Sequence, residues 1–596
     1  MDRISRIDSG RRLIRRLCLA QVGAIVGVAG LFPTFAQAQA TSVTYLGAQT
    51  VPTGTVVGGT EIGGLSGISY NPYANTFTAI TDDSRNPGAS RFWNVSLDYD
   101  AAGFSAATVN SSVGLKTAAG GVPPLADTEG IAGNLDGSFF VSHEGLAAGT
   151  DPIDSIPPWI RKFNSQTGRK EADIPLPEKF LPRNASGQQV PPNDETQTSG
   201  VRSNLSLESL GLAPSKKILF TANEAALKQD DARVFDGSSN QAQSSNIRIV
   251  RFTGVPNNPT AAEEKVYLSD QGTLFFLIRR FNTVTDILPI DDSGKLLVME
   301  RGLANNNTNT GSYRIRIYEV DFQQSNATNV AGIPALIGAT YTRLNKTLVW
   351  QSSTNMDNVE GMGFGRDVQG FRTLVLTSDN NFSSSQVTQF HVLLTSIPAV
   401  PRRTLNANVI GSGSVAATPS LAWYPDGSEV LVSALPATNF YFGDWTGDAA
   451  GATNPLLLTM TSNKAVTARF LSPFQNWGTS YFPTGEMFAT GWATSDPDGD
   501  GLVNLLEYAL NLNPREPTSQ GLPLVEVNGG TLTISYQKDT TKPDIRYQVE
   551  ASAVLTTWVD QSDVLVSEEG SLETRQTSVS IPGVFKFLRL KITQLF

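Results

Sequence analysis

Along most of this chain short apolar runs alternate with polar residues, and clusters of Gly, Pro, Asn and Asp separate them. Such alternation predicts half-buried β-strands joined by tight turns. Helical periodicity is almost absent before residue 500. Five stretches repeat one strand–turn–strand pattern. They are Gly64 to Asp83, Asp127 to Gly145, Ser203 to Glu224, Val284 to Gly302 and Asn358 to Asn381. Each has a small or acidic turn, a short apolar strand, a polar hairpin turn and a second apolar strand. A further strand follows most repeats, as in RFWNVSLDY from Arg91, NIRIVRF from Asn246 and RIRIYEVDF from Arg314. Inner pairs plus outer strands at a recurring spacing predict an all-β fold built on a β-propeller. Five blades are visible, and a sixth has room near Lys265 to Phe281. The strand VTYLGAQTV from Val43 is placed to pair with the last one and close the ring.

The acids in the repeats change this picture. First strands begin near Ser66, Glu129, Glu208, Asp286 and Glu360. Second strands end near Asp82 and Asp83, Glu144, Glu224, Glu300 and Asp379. In a ring of like units, equivalent positions point at a shared axis, so these carboxylates are expected to converge there. The structural alternative is that they cap turns through Asx-type hydrogen bonds.

The motifs GLSGI at Gly64, DDSR at Asp82, DTEGI at Asp127, SHEG at Ser142, NLSLESL at Asn204, ANE at Ala222, NVEGM at Asn358 and TSDNN at Thr377 occur in order. On these the chain resembles the phytase-like ("esterase-like activity of phytase") propeller family across roughly residues 43–396. The resemblance implies metal-dependent phosphoester chemistry with Ca2+ as cofactor. Glu129, Glu144, Glu208, Glu224, Glu300 and Glu360 are the expected catalytic, metal-facing acids, with Asp83 and Asp379 as further ligands. Arg85 and Arg301 follow strand-end acids and are the expected phosphate clamps. His143 and His391 are the histidines of the chain. Ser142 and His143 are adjacent on one strand and so face opposite ways, which argues against a Ser–His dyad.

Beyond the prolines near Pro398 and Pro401 the pattern changes. Residues 401–471 carry Gly411-Ser412-Gly413, Ala434-Leu435-Pro436, the Phe442-to-Trp445 turn and Ala468-Arg469-Phe470. This stretch resembles the divergent internalin-B-type bacterial surface repeat, which implies a small β spacer or adhesive unit. Residues 472–519 hold Asp496, Asp498 and Asp500 at loop positions 1, 3 and 5, with Gly501 next. Leu502 offers its carbonyl, and Glu507 at position 12 completes an EF-hand-like Ca2+ loop, set before a short helix. The alternative is a solvated Asp/Gly linker. Residues 520–596 read as strands of a small β-sandwich.

Composition bounds the function. The 596 residues exceed one ordinary core. Arg11, Arg12, Arg15 and Arg16 precede an apolar run from Leu17 to Phe32, with small residues up to Ala40. That predicts a signal peptide over 1–40 and a secreted, cell-surface or periplasmic protein. Cleavage near Ala40 would remove six Arg and two Asp, taking the net charge from -10 to -14. Such an acidic chain disfavours nucleic acid and suits small cations. The one cysteine, Cys18, lies in the leader, so the rest of the chain has no disulfide or thiolate site. No segment after the leader reads as a membrane span. The expected partner is a phosphorylated small molecule or a cell-envelope component. The rival reading is a non-catalytic binding or adhesion protein that displays a propeller on repeat modules.

Overall fold

The computed structural model describes residues 41–83, 89–146, 156–231, 244–271, 274–275, 278–279, 282–303, 312–581 and 584–596. The expected leader and Arg85 lie outside them. No described helix is long and apolar enough to cross a membrane.

The repeats fold as the alternation predicts. Among the described residues, five four-stranded antiparallel sheets form a β-propeller. Their innermost strands are Leu65–Asn71, Thr128–Gly133, Ser209–Leu212, Asn282–Pro289 and Val359–Phe364. Each of these packs against the next, and the last returns to the first, so the ring is closed. In the fifth sheet the fourth strand is Val43–Val51, which pairs with Thr388–Pro398 from the far end of the propeller sequence. The segment near Lys265–Phe281 supplies the outermost strand of the third sheet, Thr260–Leu268, and a short pairing of Leu274–Phe275 with Ile278–Arg279. The innermost strands of the third and fourth sheets are direct neighbours, so no blade stands between them.

The centre of the ring is tight. A Cβ on Gly67 would lie 2.5 Å from the Glu129 carbonyl oxygen, and one on Gly361 would lie 2.9 Å from Gly67 Cα. Glycine lets neighbouring inner strands approach that closely. Between the sheets sit apolar layers such as Phe77, Trp93, Val95 and Val392.

Two three-stranded sheets follow the propeller and enclose Tyr424, Val430, Val432, Trp445, Val466 and Phe470. The chain then forms the helix Pro473–Gly478, capped by a reciprocal Ser472–Gln475 capping box, and the helix Asn504–Leu510. The Phe474 ring packs against those of Trp492 and Tyr508 at 4.5 and 5.1 Å between centroids. A four-stranded and a three-stranded antiparallel sheet end the chain, packed through Leu532, Ile534, Val549 and Ala551.

Candidate metal centre

At one end of the axis the five innermost strands are irregular, or begin, at the same place. The ladder skips Ser66 in the first sheet, Glu129 and Gly130 in the second, Thr285 in the fourth and Glu360 in the fifth. Glu208 immediately precedes the third sheet's Ser209–Leu212. A bulge re-aims a side chain that regular pairing would hold against the neighbouring sheet. Ser66, Glu129, Glu208, Thr285 and Glu360 thus form one set of equivalent positions. A second set lies one residue past the ladder partners Thr81, His143, Glu300 and Ser378: Asp82, Glu144, Arg301 and Asp379. Glu224, just beyond the strand Leu219–Ala222, completes it.

These side chains meet. Carboxylate oxygens of Glu129, Glu144 and Glu208 lie within 4.8 Å of one another, as do those of Asp82, Asp127 and Glu129. Arg301 bonds Glu224 at 3.1 Å and Asn358 at 2.7 Å, and also pairs with Glu360. The Asp379 carboxylate accepts from the Asn381 N–H at 2.7 Å, and Glu144 accepts from the Ser206 N–H at 3.2 Å.

Electrostatics follow from crowding in a dry place. Burial, then Asp127 and Glu144, push the Glu129 carboxyl well above its ordinary range. Burial and neighbouring acids do the same to Asp82, Glu144, Glu208 and Asp379. Burial also raises Glu224, against the opposing pull of Arg301. Thr285 Oγ1 and Ser206 Oγ are buried here without a hydrogen-bond partner. An all-oxygen, anionic, partly orphaned donor set suits a hard divalent cation.

Three sequence expectations need correction. Glu300 does not face the axis. It pairs with Lys346 at 2.6 Å, accepts from the Asp270 N–H at 2.9 Å and takes the Tyr267 hydroxyl. Strand alternation is the cause: Arg301, one residue on, occupies the axial position. Arg301 is accordingly not presented as a phosphate clamp but held between Glu224 and Glu360. Asp83 is not in the clusters and lies beside the Arg91 guanidinium, whereas Asp82 joins the axial acids. The expected clamp Arg85 lies outside the described residues. Asp127 is the ligand candidate the sequence reading missed, and Asp82 was named as a strand-end acid but passed over for Asp83. Counting one residue past each ladder end finds Asp82, but nothing comparable marks Asp127. Asp286, read as a strand-start acid, accepts from the N–H groups of Ile287 at 2.8 Å and Met362 at 2.7 Å and so ties two inner strands together.

The histidines are structural. His143 Nδ1 lies 2.7 Å from the Asp127 carbonyl, and its ring packs tilted against Trp159 with centroids 4.8 Å apart. Ser142 Oγ instead accepts from the Gly130 N–H at 2.8 Å. Burial drives both histidines down to about 4, so each is neutral near pH 7.

The second candidate is the loop before the helix Asn504–Leu510. Asp496, Asp498 and Asp500 bring carboxylate oxygens within 4.8 Å of one another. Glu507 is fully buried, and neither of its carboxylate oxygens has a hydrogen-bond partner. Burial, then Asp498 and the other two aspartates, push its carboxyl up to about 7. Leu502 lies within the loop and donates its N–H to Asp500 Oδ1 at 2.8 Å.

A model of the phytase-like family, described as "esterase-like activity of phytase", matches residues 60–382. A model of the divergent InlB B-repeat domain matches residues 403–472. No curated protein matches. Among solved structures, the N-terminal domain of Nup159 is similar at 7% identity and a TM-score of 0.22, covering 60% of this chain and 96% of that one. A glucose dehydrogenase stands at 9% and 0.24, covering 59% and 98%. An exo-β-1,3-galactanase from Phanerochaete chrysosporium stands at 10% and 0.22, covering 73% and 93%. At such TM-scores none of the three bears on fold or function.

Proposed function

Because the chain belongs to the phytase-like family, whose model covers more than half of it, we propose that its acidic axial mouth hydrolyses phosphoesters with the help of Ca2+. The observation that carries this is the meeting of Glu129, Glu144 and Glu208 within 4.8 Å in a buried setting. Like charges that close are costly to hold without a cation. Glu129, Glu144 and Glu208, with Asp82 and Asp127, would hold the ion. Bound Ca2+ would supply positive charge to phosphate oxygens and lower the pKa of a water. Glu224 and Glu360 act differently. They fix the Arg301 guanidinium, which balances charge on their side of the mouth.

The same reading puts the protein outside the cytoplasm. It rests on the basic-then-apolar segment over 1–40 and on the bacterial surface-type repeat at 403–472. The substrate would be a phosphorylated small molecule or a cell-envelope component. Ca2+ in the Asp496–Glu507 loop would stiffen the joint before the last two sheets.

One observation favours the rival reading of a non-catalytic binding protein. Arg301, the expected clamp, is tied into ion pairs and is not offered to an anionic substrate. Phosphate release from phytate and p-nitrophenyl phosphate by residues 41–596, with Ca2+ and with chelator, separates the two. Calcium-dependent release, reduced at least about 100-fold in Glu129→Gln and in Glu208→Gln, is expected. Loss of the axial calcium in both variants, with the calcium of the Asp496–Glu507 loop retained, but without release from any substrate, would shift the assignment to a binding protein. Calcium binding unaffected by either variant would remove the proposed site.

A further inference from the structure

The axis has a second end, and its chemistry is opposite. There the C-terminal ends of the five inner strands surround a cavity of about 500 Å3, which Trp423 and Arg402 line from the chain after the propeller. The volume falls within the range of small-molecule sites. Contacts hold this second wall in place. The Tyr73 hydroxyl donates to the Trp423 carbonyl at 3.0 Å, and their rings lie 4.8 Å apart. Arg402 stacks 4.5 Å over Trp423 and reaches Asp367 at 3.4 Å.

The charged groups lining this cavity are Lys216, Arg372, Arg402 and Asp367. Asp367 and Arg402 answer one another. Among the described residues no carboxylate comes within ion-pair distance of Lys216 or Arg372. Arg372 donates to the Pro398 carbonyl at 3.1 Å and lies 4.5 Å over the Phe364 ring. Asp292, which takes the Ser215 hydroxyl at 2.5 Å, and Asp291 act on these cations only from beyond ion-pair distance. Two cations therefore line one cavity without a direct carboxylate partner, Arg372 buried and Lys216 half-buried. Burial and the Arg372 charge press the Lys216 ammonium down to about 8, and burial presses Arg372 to about 10. Removing water from like charges is unfavourable unless a counter-charge joins them. The remaining wall mixes apolar faces with the hydroxyl of Tyr70 and the amide of Asn134.

We propose that this cavity is an anion site, in which Lys216 and Arg372 bind the carboxylate or phosphate of a small organic ligand between the propeller and the repeat module. The assignment is independent of the metal chemistry at the opposite end. Arg372 presents a planar fork suited to an oxyanion, and Lys216 a point charge beside it. The apolar faces accept the body of the ligand, and Tyr70 and Asn134 its polar groups. Trp423 and Arg402 belong to the far wall, so occupation also ties the module to the propeller.

The test uses residues 41–596 with chelator present, which silences both acidic sites. Thermal unfolding is followed in inorganic phosphate, in glucuronate and in chloride at matched ionic strength, with wild type and Lys216→Met. Phosphate or glucuronate at millimolar concentration is expected to raise the wild-type Tm by several degrees over chloride. Which of the two acts more strongly tells a phosphate ligand from a carboxylate one. Lys216→Met should remove that response while leaving the anion-free Tm equal to or above wild type, because a desolvated like charge is gone. A merely structural Lys216 would instead lower the anion-free Tm and leave the response in place. That result, or an equal effect of chloride, overturns the proposal. Arg372→Gln, checked for native circular dichroism, is expected to weaken glucuronate binding at least about 10-fold by calorimetry. Unchanged affinity in a folded Arg372→Gln protein would also overturn it.

Discussion

At the residue scale, one position of register separates a metal ligand from a structural acid. Glu300 and Arg301 are neighbours in a strand, and the sequence offers both as functional. The repeat identifies an acidic segment, but an alternating strand assigns adjacent side chains to opposite faces. The bulges at Ser66, Glu129, Thr285 and Glu360 shift that parity. Bulges leave little trace in hydrophobic patterning, so the residue type was legible and the direction was not. His391 lies on the strand Thr388–Pro398. It is buried, with Nδ1 3.0 Å from the Tyr45 hydroxyl and Nε2 without a partner. Its folded-state value, about 4, lies below the unfolded value near 6.5. The unfolded chain therefore takes up this proton first. The stability that neutral His391 contributes is complete above about pH 6.5 and is lost as pH falls toward 4. Converting the shift gives about 3 kcal/mol at most. Urea unfolding of wild type and His391→Gln at pH 7.5 and pH 4.5 checks this. The gap between the two proteins should change in the variant's favour by about 1–3 kcal/mol at the lower pH. An equal gap at both values would show that the imidazole is not excluded from protonation.

At the element scale, a contiguous motif is easier to read than an assembled site. The loop from Asp496 to Glu507 carries its ligands at fixed spacing, so sequence alone places them together. The structure adds the support beneath. Asp544, fully buried, accepts the Phe474 N–H at 2.7 Å and the Tyr508 hydroxyl at 2.8 Å, which anchors both short helices to the last sheets. The loop closes on this aromatic joint. Asp496 accepts from the N–H groups of Gly499 at 2.8 Å and Gly501 at 2.9 Å, and Asp500 takes the Thr518 N–H at 2.9 Å. These bonds hold the loop in shape, while the Glu507 carboxylate keeps both oxygens uncommitted. Calcium should therefore slow proteolysis between residues 496 and 520, and chelation should speed it by at least about 10-fold. Glu507→Gln removes the charge at nearly constant shape. It is expected to cleave at the chelated rate even in Ca2+, with phosphoester turnover intact. Equal cleavage of wild type with and without chelator would mark the loop as a plain linker.

At the scale of the whole molecule, closure decides whether the axial acids meet at all. The repeats made the propeller legible, because each carries its own turn chemistry and apolar alternation. The ring depends on a pairing across more than three hundred residues, which local pattern suggests only through an unpaired first strand. Val43–Val51 supplies that pairing, from Val43 opposite Thr395 to Val51 opposite Thr388. Without it, Thr388–Pro398 becomes a bare edge, which invites intermolecular pairing. The loss also reaches the site. Thr388–Pro398 supports Phe371–Ser378, which leads directly into Asp379, and that strand pairs with Val359–Phe364, which carries Glu360. A chain beginning at Thr53 should therefore unfold at least about 10 °C below one beginning at Thr41, or associate through its exposed edge. Adding a peptide of residues 41–52 in trans should restore both the monomer and most of the Tm. Light scattering and thermal unfolding with and without the peptide read the two effects. A Tm unchanged by the truncation would mean that the blades hold the ring without the closing strand, and that the axial acids keep their places through inner-strand packing alone.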